Sequence, residues 1–291
     1  MSNSKSTSYA CIILAAALWG LIGFFVKNLS AQGFSPLQIT CLRTIAASIC
    51  ITPLVAMQGM DKFKIAIKDT WMFIGTGIIS LTFFNWCYFN CMQRASLAVA
   101  ALLLYTAPAF VMIMSLFLFG EKFTKQKGIA LVMTFIGCAC VTGVLSGELN
   151  LSLAGLLFGL GSGIGYALYS VFGKYAIRKY EPITISAYTF YFSFVATLFL
   201  ADINGEVLAR INWLTIAYVL GLGIICCLAP YILYTKGLAQ VEAGKASVLA
   251  TVEPLVAALV GVIFFAEPLT MEKIIGMALI FGAIGVLELK K

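Results

Sequence analysis

Long runs without a charged residue are the feature that most constrains this chain. Seven runs of at least 20 residues contain no Asp, Glu, Lys or Arg: 6–26, 70–93, 95–120, 128–147, 149–173, 182–201 and 211–235. About 20 apolar residues are enough for a helix to cross the hydrocarbon core of a bilayer. Residues 28–60 and 246–266 each contain a single charge, and the shorter segment 274–287 has polar flanks that can reach the interface. The sequence therefore predicts an all-α membrane protein with ten transmembrane helices.

The composition excludes several other classes of protein. With 62% hydrophobic and 11% charged residues, the chain has too little polar surface to cover a soluble globule. The longest polar connections, 58–69 and 202–212, are too short to form a catalytic domain. There is no histidine, and the nine cysteines all lie inside hydrophobic segments, as packing residues do. We therefore expect no enzyme activity, metal, cofactor or nucleic-acid partner.

The distribution of basic residues predicts the orientation in the membrane. Of the 19 Lys and Arg residues, 14 lie in segments on the face of the two termini, four lie on the other face, and Arg43 lies within a helix. Because cytoplasmic loops collect Lys and Arg, both termini are expected in the cytoplasm, and the topology also accounts for the net charge of +7. The first segment could be a cleaved signal peptide, but its apolar run is longer than a usual signal core, which favours a retained helix. The short loops suggest a bacterial cytoplasmic membrane.

An internal repeat divides the chain into two halves. Three pairs of equal residues are 146 positions apart and one pair is 147 apart: Pro36 and Pro182, Pro108 and Pro254, Glu121 and Glu267, and Lys27 and Lys174. Two copies of five helices each are predicted, over 1–147 and 148–291. Because five is odd, the second copy must enter the membrane from the opposite side. The prediction is an inverted repeat, which is typical of transporters.

The residues around these positions resemble a known family. Residues 100–108 (AALLLYTAP) and 118–124 (LFGEKFT), with their counterparts 253–259 (EPLVAAL) and 267–270 (EPLT), are similar to the EamA-type branch of the drug/metabolite transporter superfamily. The segment ALWG at 17–20 and an arginine in helix 2 also fit. This resemblance implies ten helices around a central cavity and movement of a small metabolite, most often outward. Ala266 departs from the pattern, because a glycine is usual before the glutamate.

Two charges lie deep within expected helices. Arg43 is in helix 2 and Glu253 is in helix 9, and the cost of a charge in a membrane points to function. They could contact a substrate or a proton, form a structural ion pair, or be held separately by backbone groups. Glu253 also precedes Pro254, whose missing N–H is expected to leave a helical carbonyl free.

Aromatic and amide residues form a second candidate set. They correspond in pairs across the repeat: Trp19 with Tyr166, Asn85 with Tyr231, and Tyr88 with Tyr234. Tyrosine and tryptophan offer an apolar or cation-attracting face with a polar tip, which suits amphipathic metabolites. Such residues would line a cavity. Packing or anchoring at the membrane interface is the alternative.

The prediction from the whole sequence is a secondary transporter that works by alternating access. Export of an amino acid or related metabolite is the leading interpretation, with Arg43 holding a carboxylate and Glu253 carrying the proton if transport is proton-coupled. Expected partners are a small-molecule substrate, the lipid bilayer and, under coupling, protons, for a monomer or weak dimer. An uncoupled channel or facilitator, or a membrane scaffold without transport, remains an alternative.

Overall fold

The computed structural model describes residues 2–145 and 151–288, with side chains for 5–145 and 151–287. Over these residues the fold is all-helical, apart from one isolated antiparallel bridge between Ala95 and Leu151. The expected boundary between the two repeats, at 147/148, lies outside the described residues.

The long helical bodies are numbered α1 to α10 in chain order. They are α1 (Ser2–Gly20 and Ile22–Ala31), α2 (Pro36–Gln58), α3 (Thr70–Ile74, Gly75–Thr82 and Phe83–Met92), α4 (Leu97–Leu104 and Ala107–Phe119), α5 (Lys125–Thr142), α6 (Leu153–Ala176), α7 (Pro182–Leu200), α8 (Trp213–Gly223, Ile224–Leu228 and Ala229–Leu238), α9 (Ala243–Leu249 and Val252–Phe265) and α10 (Met271–Glu288). Three short helices, Met60–Phe63, Ile67–Asp69 and Gly205–Ala209, lie in the connections.

Eight of these bodies are long and apolar enough to cross a membrane. They are α1–α4 and α6–α9. The bodies α5 and α10 have 18 residues each and carry charges in their first turns, Lys125 and Lys127 in α5 and Glu272 and Lys273 in α10. The all-helical membrane fold is thus confirmed over the described residues, whereas the count of ten crossings stays a prediction.

The helix α1 runs beyond the uncharged segment 6–26 and ends at Ala31, and α2 starts at Pro36, within the segment 28–60. The boundary is set by Ser35, whose hydroxyl accepts a hydrogen bond from the Gln38 amide at 3.3 Å while the Gln38 side chain accepts one from the Ser35 amide at 2.9 Å. This capping box fixes the start of α2.

Both α4 and α9 are broken at corresponding points. The break in α4 falls at Tyr105 and Thr106, and the break in α9 falls at Ala250 and Thr251. The free carbonyl expected near Pro254 is absent, because the Ala250 carbonyl accepts a hydrogen bond from the Glu253 amide at 3.0 Å. The Ala250 carbonyl, which would bond to an N–H at position 254, is thus bonded within a tight turn instead. The expectation of a free carbonyl was wrong.

Left-handed residues end the same two helices. Gly120 follows α4 with φ of +65°, and Ala266 follows α9 with φ of +52°. Glycine adopts this conformation without cost, whereas a residue with a Cβ pays a steric penalty. The departure at Ala266 that the sequence shows therefore places a mildly strained backbone at the end of α9.

The bodies α5 and α10 pack closely along their length. A Cβ atom added to Gly137 would lie 2.9 Å from the Gly276 carbonyl oxygen, and one added to Gly276 would lie 2.6 Å from the Gly137 carbonyl oxygen. Neither position can accept a side chain without separating the helices. The last helices of the two halves are therefore held together by backbone contact, as small residues allow in membranes.

The face of the two termini, which is predicted to carry 14 of the 19 Lys and Arg residues, is called the lysine-rich face below. On this face the Met60–Phe63 helix is hydrogen-bonded to α7. The Phe63 carbonyl accepts a hydrogen bond from the Tyr188 hydroxyl at 2.6 Å, and the Lys62 carbonyl accepts one from Thr184 at 2.9 Å. The Lys62 ammonium donates to the Glu181 carboxylate, and this hydrogen bond raises the pKa of Lys62. These contacts fix the connection that leads into α3.

Candidate substrate site

Four aromatic side chains from α1, α6 and α8 meet in the centre of the bundle. The Trp19 ring centroid lies 6.1 Å from that of Tyr166, 5.4 Å from that of Tyr231 and 5.3 Å from that of Tyr234. Trp19 and Tyr234 are buried, and the other two rings are partly buried. Edge-to-face contacts of this kind add to the packing energy. The structure thus brings together four residues that belong to all three pairs and come from both halves of the chain.

The hydroxyls of Tyr234 and of the neighbouring Tyr169 are each hydrogen-bonded to a buried Ser or Thr hydroxyl. The Tyr234 hydroxyl lies 2.7 Å from Ser170 Oγ, and the Tyr169 hydroxyl lies 2.7 Å from Thr235 Oγ1. Tyr169 also packs edge-to-face on Tyr231, with ring centroids 4.9 Å apart. Because these hydroxyls would be costly to bury alone, the hydrogen bonds fix the ring orientations.

A small cavity lies within the cluster. It is lined by Trp19, Ser80, Phe84, Tyr166, Tyr169, Ser170, Tyr231 and Tyr234. The space open to the centre of a water molecule is about 20 Å³, which is room for about one water. In this conformation the space between these side chains is therefore too small for a metabolite.

Arg43 lies beside this cluster, on the continuous helix α2. The residue is 6% exposed, and its Nη2 donates a hydrogen bond to Asn85 Oδ1 at 3.0 Å. Asn85 is 3% exposed and donates its own amide to the Leu81 carbonyl at 2.6 Å. The Nε of Arg43 has no hydrogen-bond partner among the described residues. A buried guanidinium with an unused N–H donor can bind a carboxylate or another anion.

Glu253 also lies beside the cluster, in the first turn after the break in α9. Its carboxylate accepts a hydrogen bond from the Tyr166 hydroxyl at 2.9 Å. Among the described residues no ion pair within 4.0 Å joins Glu253 to Arg43. Of the alternatives, a direct structural ion pair is therefore not formed in this conformation.

All eight candidate residues are placed in or beside one site. Trp19, Tyr166, Tyr231 and Tyr234 line the cavity; Arg43 and Asn85 form one pair; Glu253 accepts from Tyr166; and Tyr88 stacks near the cavity residue Phe84, with ring centroids 6.3 Å apart. Their roles in transport stay predictions.

The structure also adds residues that the sequence analysis missed. They line the cavity and are Ser80, Phe84, Tyr169 and Ser170. The spacing of Tyr166, Tyr169 and Ser170 could have found two of these, since residues three and four apart share a helix face. Ser80 had no such signal, because it lies in the π-helical part of α3, where the usual helical spacing does not hold.

The residues of the site offer a guanidinium, a carboxylate and several aromatic faces. No group of three His, Cys, Asp or Glu residues that could hold a metal occurs within the described residues. Such a centre, buried within a multi-pass helical membrane protein, is typical of membrane transporters. The model of the EamA-like transporter family matches residues 6–143 and 153–289. The chain therefore belongs to the EamA-like transporter family, within the drug/metabolite transporter superfamily.

Similar proteins agree with this assignment. An uncharacterized transporter of Archaeoglobus fulgidus is 31% identical over 279 residues, with 94% of each chain covered. The uncharacterized transporter YwfM of Bacillus subtilis is 25% identical, with 94% of this chain and 92% of the relative covered. A crystal structure with 19% identity superposes with a TM-score of 0.80 over 97% of this chain and 96% of the other, which shows the same fold.

Proposed function

We propose that this protein is a secondary carrier that exports an amino acid or a related amphipathic metabolite by alternating access. The observation that carries the proposal is that Arg43 and Glu253 are both held beside the same aromatic cluster. Arg43 donates a hydrogen bond to Asn85, which follows the cavity residue Phe84. Tyr166, whose ring contacts Trp19, donates a hydrogen bond to Glu253.

Each part of this site matches one part of the substrate class. The unused Nε of Arg43 can bind a carboxylate, the rings of Trp19 and Tyr231 can hold an apolar group, and Glu253 can meet an amino group or a proton. The cavity between these side chains has room for about one water molecule, so in this conformation it is too small for a metabolite to pass. This supports a carrier over an open channel, because a carrier must close around its site.

Proteoliposomes test the proposal directly. A thermal-shift screen of the purified protein against metabolites would first identify ligands, since binding to the native state raises apparent stability. Uptake of such a ligand should then saturate and show counterflow. Linear, unsaturable flux would indicate a channel instead, and binding without any flux would indicate a scaffold.

The proposed topology has ten crossings, two inverted five-helix repeats (1–147 and 148–291) and both termini in the cytoplasm of a bacterium. The separate family matches to 6–143 and 153–289 support two repeats. Cysteine labelling can test the orientation, because eight of the native cysteines are buried and Cys50 is partly buried. A Gly205→Cys site should label from outside intact cells, and a Lys64→Cys site should not. Labelling of the Lys64→Cys site from outside would show that the orientation is the reverse of the one proposed.

A further inference from the structure

Two glutamate–lysine pairs occupy corresponding positions in the two halves. Glu121 and Glu267 are 146 residues apart, and so are Lys127 and Lys273. The Glu121 and Lys127 side chains lie 3.7 Å apart, and those of Glu267 and Lys273 lie 3.0 Å apart. The same ion pair is therefore built twice, once at the end of α4 and once at the end of α9.

The first pair holds the start of α9. One oxygen of Glu121 accepts a hydrogen bond from the Ala243 amide at 2.7 Å, and the other accepts from the Gly244 amide at 3.1 Å. The Glu121 side chain is 9% exposed, and Lys127 also pairs with Glu242 at 2.9 Å. A carboxylate that receives two backbone amides at the start of a helix is held strongly. The end of α4 is thus fastened to α9 on the lysine-rich face.

A second contact closes the same face. The Lys174 ammonium, at the end of α6, donates hydrogen bonds to the Leu238 carbonyl at 2.9 Å and the Val241 carbonyl at 2.7 Å. These carbonyls belong to the end of α8 and the connection into α9. The first half of the chain, through Glu121, and the second half, through Lys174, therefore both hold this connection.

The opposite face lacks the corresponding contacts. The residues 146 positions before Ala243 and Gly244 are Leu97 and Ala98, which start α4. Within the described part of the chain, neither of their amides donates a hydrogen bond to Glu267. The Glu267 side chain is 48% exposed. Lys27, the counterpart of Lys174, lies over the Phe265 ring at 3.7 Å. Glu121 thus holds the start of α9, whereas Glu267 does not hold the start of α4. The opposite face is joined by other contacts between the halves, in which Arg210 donates to the Gly33 carbonyl at 2.8 Å and Thr215 donates to Gln32 Oε1 at 2.6 Å.

We propose that Glu121 and Glu267 are alternate gate residues, each closing one face of the carrier by binding the start of the broken helix from the other half. In the conformation described, Glu121 holds α9. In the opposite conformation Glu267 accepts hydrogen bonds from the Leu97 and Ala98 amides, and Ala243 and Gly244 are released. The inference rests on the proposed carrier function. Matching contacts on the two faces keep the two states close in free energy, as alternating access requires.

Hydrogen–deuterium exchange on the intact protein in detergent reads these amides directly. In Glu121→Gln, exchange of a peptide covering 239–245 should accelerate about tenfold, since charge-assisted hydrogen bonds are lost, while exchange of a peptide covering 93–99 should slow. Glu267→Gln should do the reverse. Glu206→Gln, which alters an exposed acid outside both contacts, should change neither peptide.

The outcomes separate a gate from a local cap. If Glu121→Gln loosens 239–245 and leaves 93–99 unchanged, Glu121 only caps α9 and the proposal is overturned. Should Glu121→Gln fail to fold, Glu267→Gln still decides, because its carboxylate is half exposed: greater protection at 239–245 supports the gate, and unchanged protection refutes it. No substrate is needed, so reciprocal exchange in a protein without flux would keep the gate and reject the carrier function.

Discussion

The two charges of the central site are held in different ways. Arg43 lies in the middle of a continuous helix, is almost fully buried, and has one side-chain partner, Asn85. Glu253 lies just after a break in α9, where the start of a helical segment favours negative charge, and it accepts a hydrogen bond from Tyr166. The carboxylate of Glu253 lies at the start of a helical segment, where the free backbone amides favour a negative charge. The guanidinium of Arg43 lies within a continuous helix, away from its ends.

This difference assigns different tasks to the two residues. A guanidinium stays charged at any physiological pH, so Arg43 needs an anion or a polar partner at every stage of transport. A carboxylate can take up a proton and become neutral, so Glu253 can lose its partners without a large penalty. A permanent charge suits substrate recognition, and a removable charge suits coupling.

The largest effect is expected from Arg43→Gln, which removes the permanent charge. Transport should fall by about 100-fold or more, because a lost charged hydrogen-bond pair costs several kcal/mol in a dry site. Arg43→Lys should give an intermediate rate, since it keeps the charge and loses the planar fork. Flux in proteoliposomes, normalised to the protein incorporated, measures both. A normal transport rate in Arg43→Gln would show that Arg43 has only a packing role.

Glu253→Gln should separate two modes of transport. The amide imitates a protonated carboxyl, so concentrative transport driven by a pH gradient should disappear while substrate exchange continues. A purely structural role would make both modes fall together. The two fluxes can be measured in the same liposomes, with and without a pH gradient. An intact response to the gradient would remove Glu253 from coupling and undo the contrast with Arg43.

The sequence predicted where the spanning helices lie and two of the rings that meet in the aromatic cluster. The uncharged runs and the 146-residue spacing were enough to find α1–α4 and α6–α9, because membrane crossing imposes length and apolarity on each segment. The pair Trp19 and Tyr166 was found because both halves carry an aromatic at that point, and their rings are in contact. Burial of a charge in a membrane is rare enough to single out Arg43 without a structure.

Partners were beyond the reach of the sequence. Asn85 and Tyr231 correspond in the repeat, yet Asn85 binds Arg43 instead of an aromatic residue, which depends on how α2 packs on α3. The turn that occupies the Ala250 carbonyl depends on local backbone geometry that a proline alone does not specify. Spacing shows which residues share a helix face, and only packing decides what that face meets.

Removing the partner of each charge tests the same contrast with smaller effects. Asn85→Ala leaves buried Arg43 without its side-chain hydrogen bond, which should lower the free energy of unfolding by about 1.5–3 kcal/mol. Asn90→Ala is the matched control, since Asn90 donates to the carbonyl four residues back and accepts from Arg94 at 3.0 Å, but it is only partly buried. Thermal unfolding in detergent compares them. Equal losses would show that Arg43 gains nothing from Asn85.

Tyr166→Phe should have the smallest effect, and its size depends on pH. The variant removes the hydroxyl that donates to Glu253 and keeps the ring contact with Trp19. At high pH the carboxylate loses a charge-assisted bond, so the variant should be less stable than the wild type; at low pH the protonated carboxyl loses much less. The expected result is a gap in unfolding temperature that narrows as pH falls. Tyr175→Phe, a ring outside the cavity, should show no pH-dependent gap. A gap for Tyr166→Phe that stays constant with pH would mean that Glu253 does not change its charge, and it would then share the permanent character of Arg43.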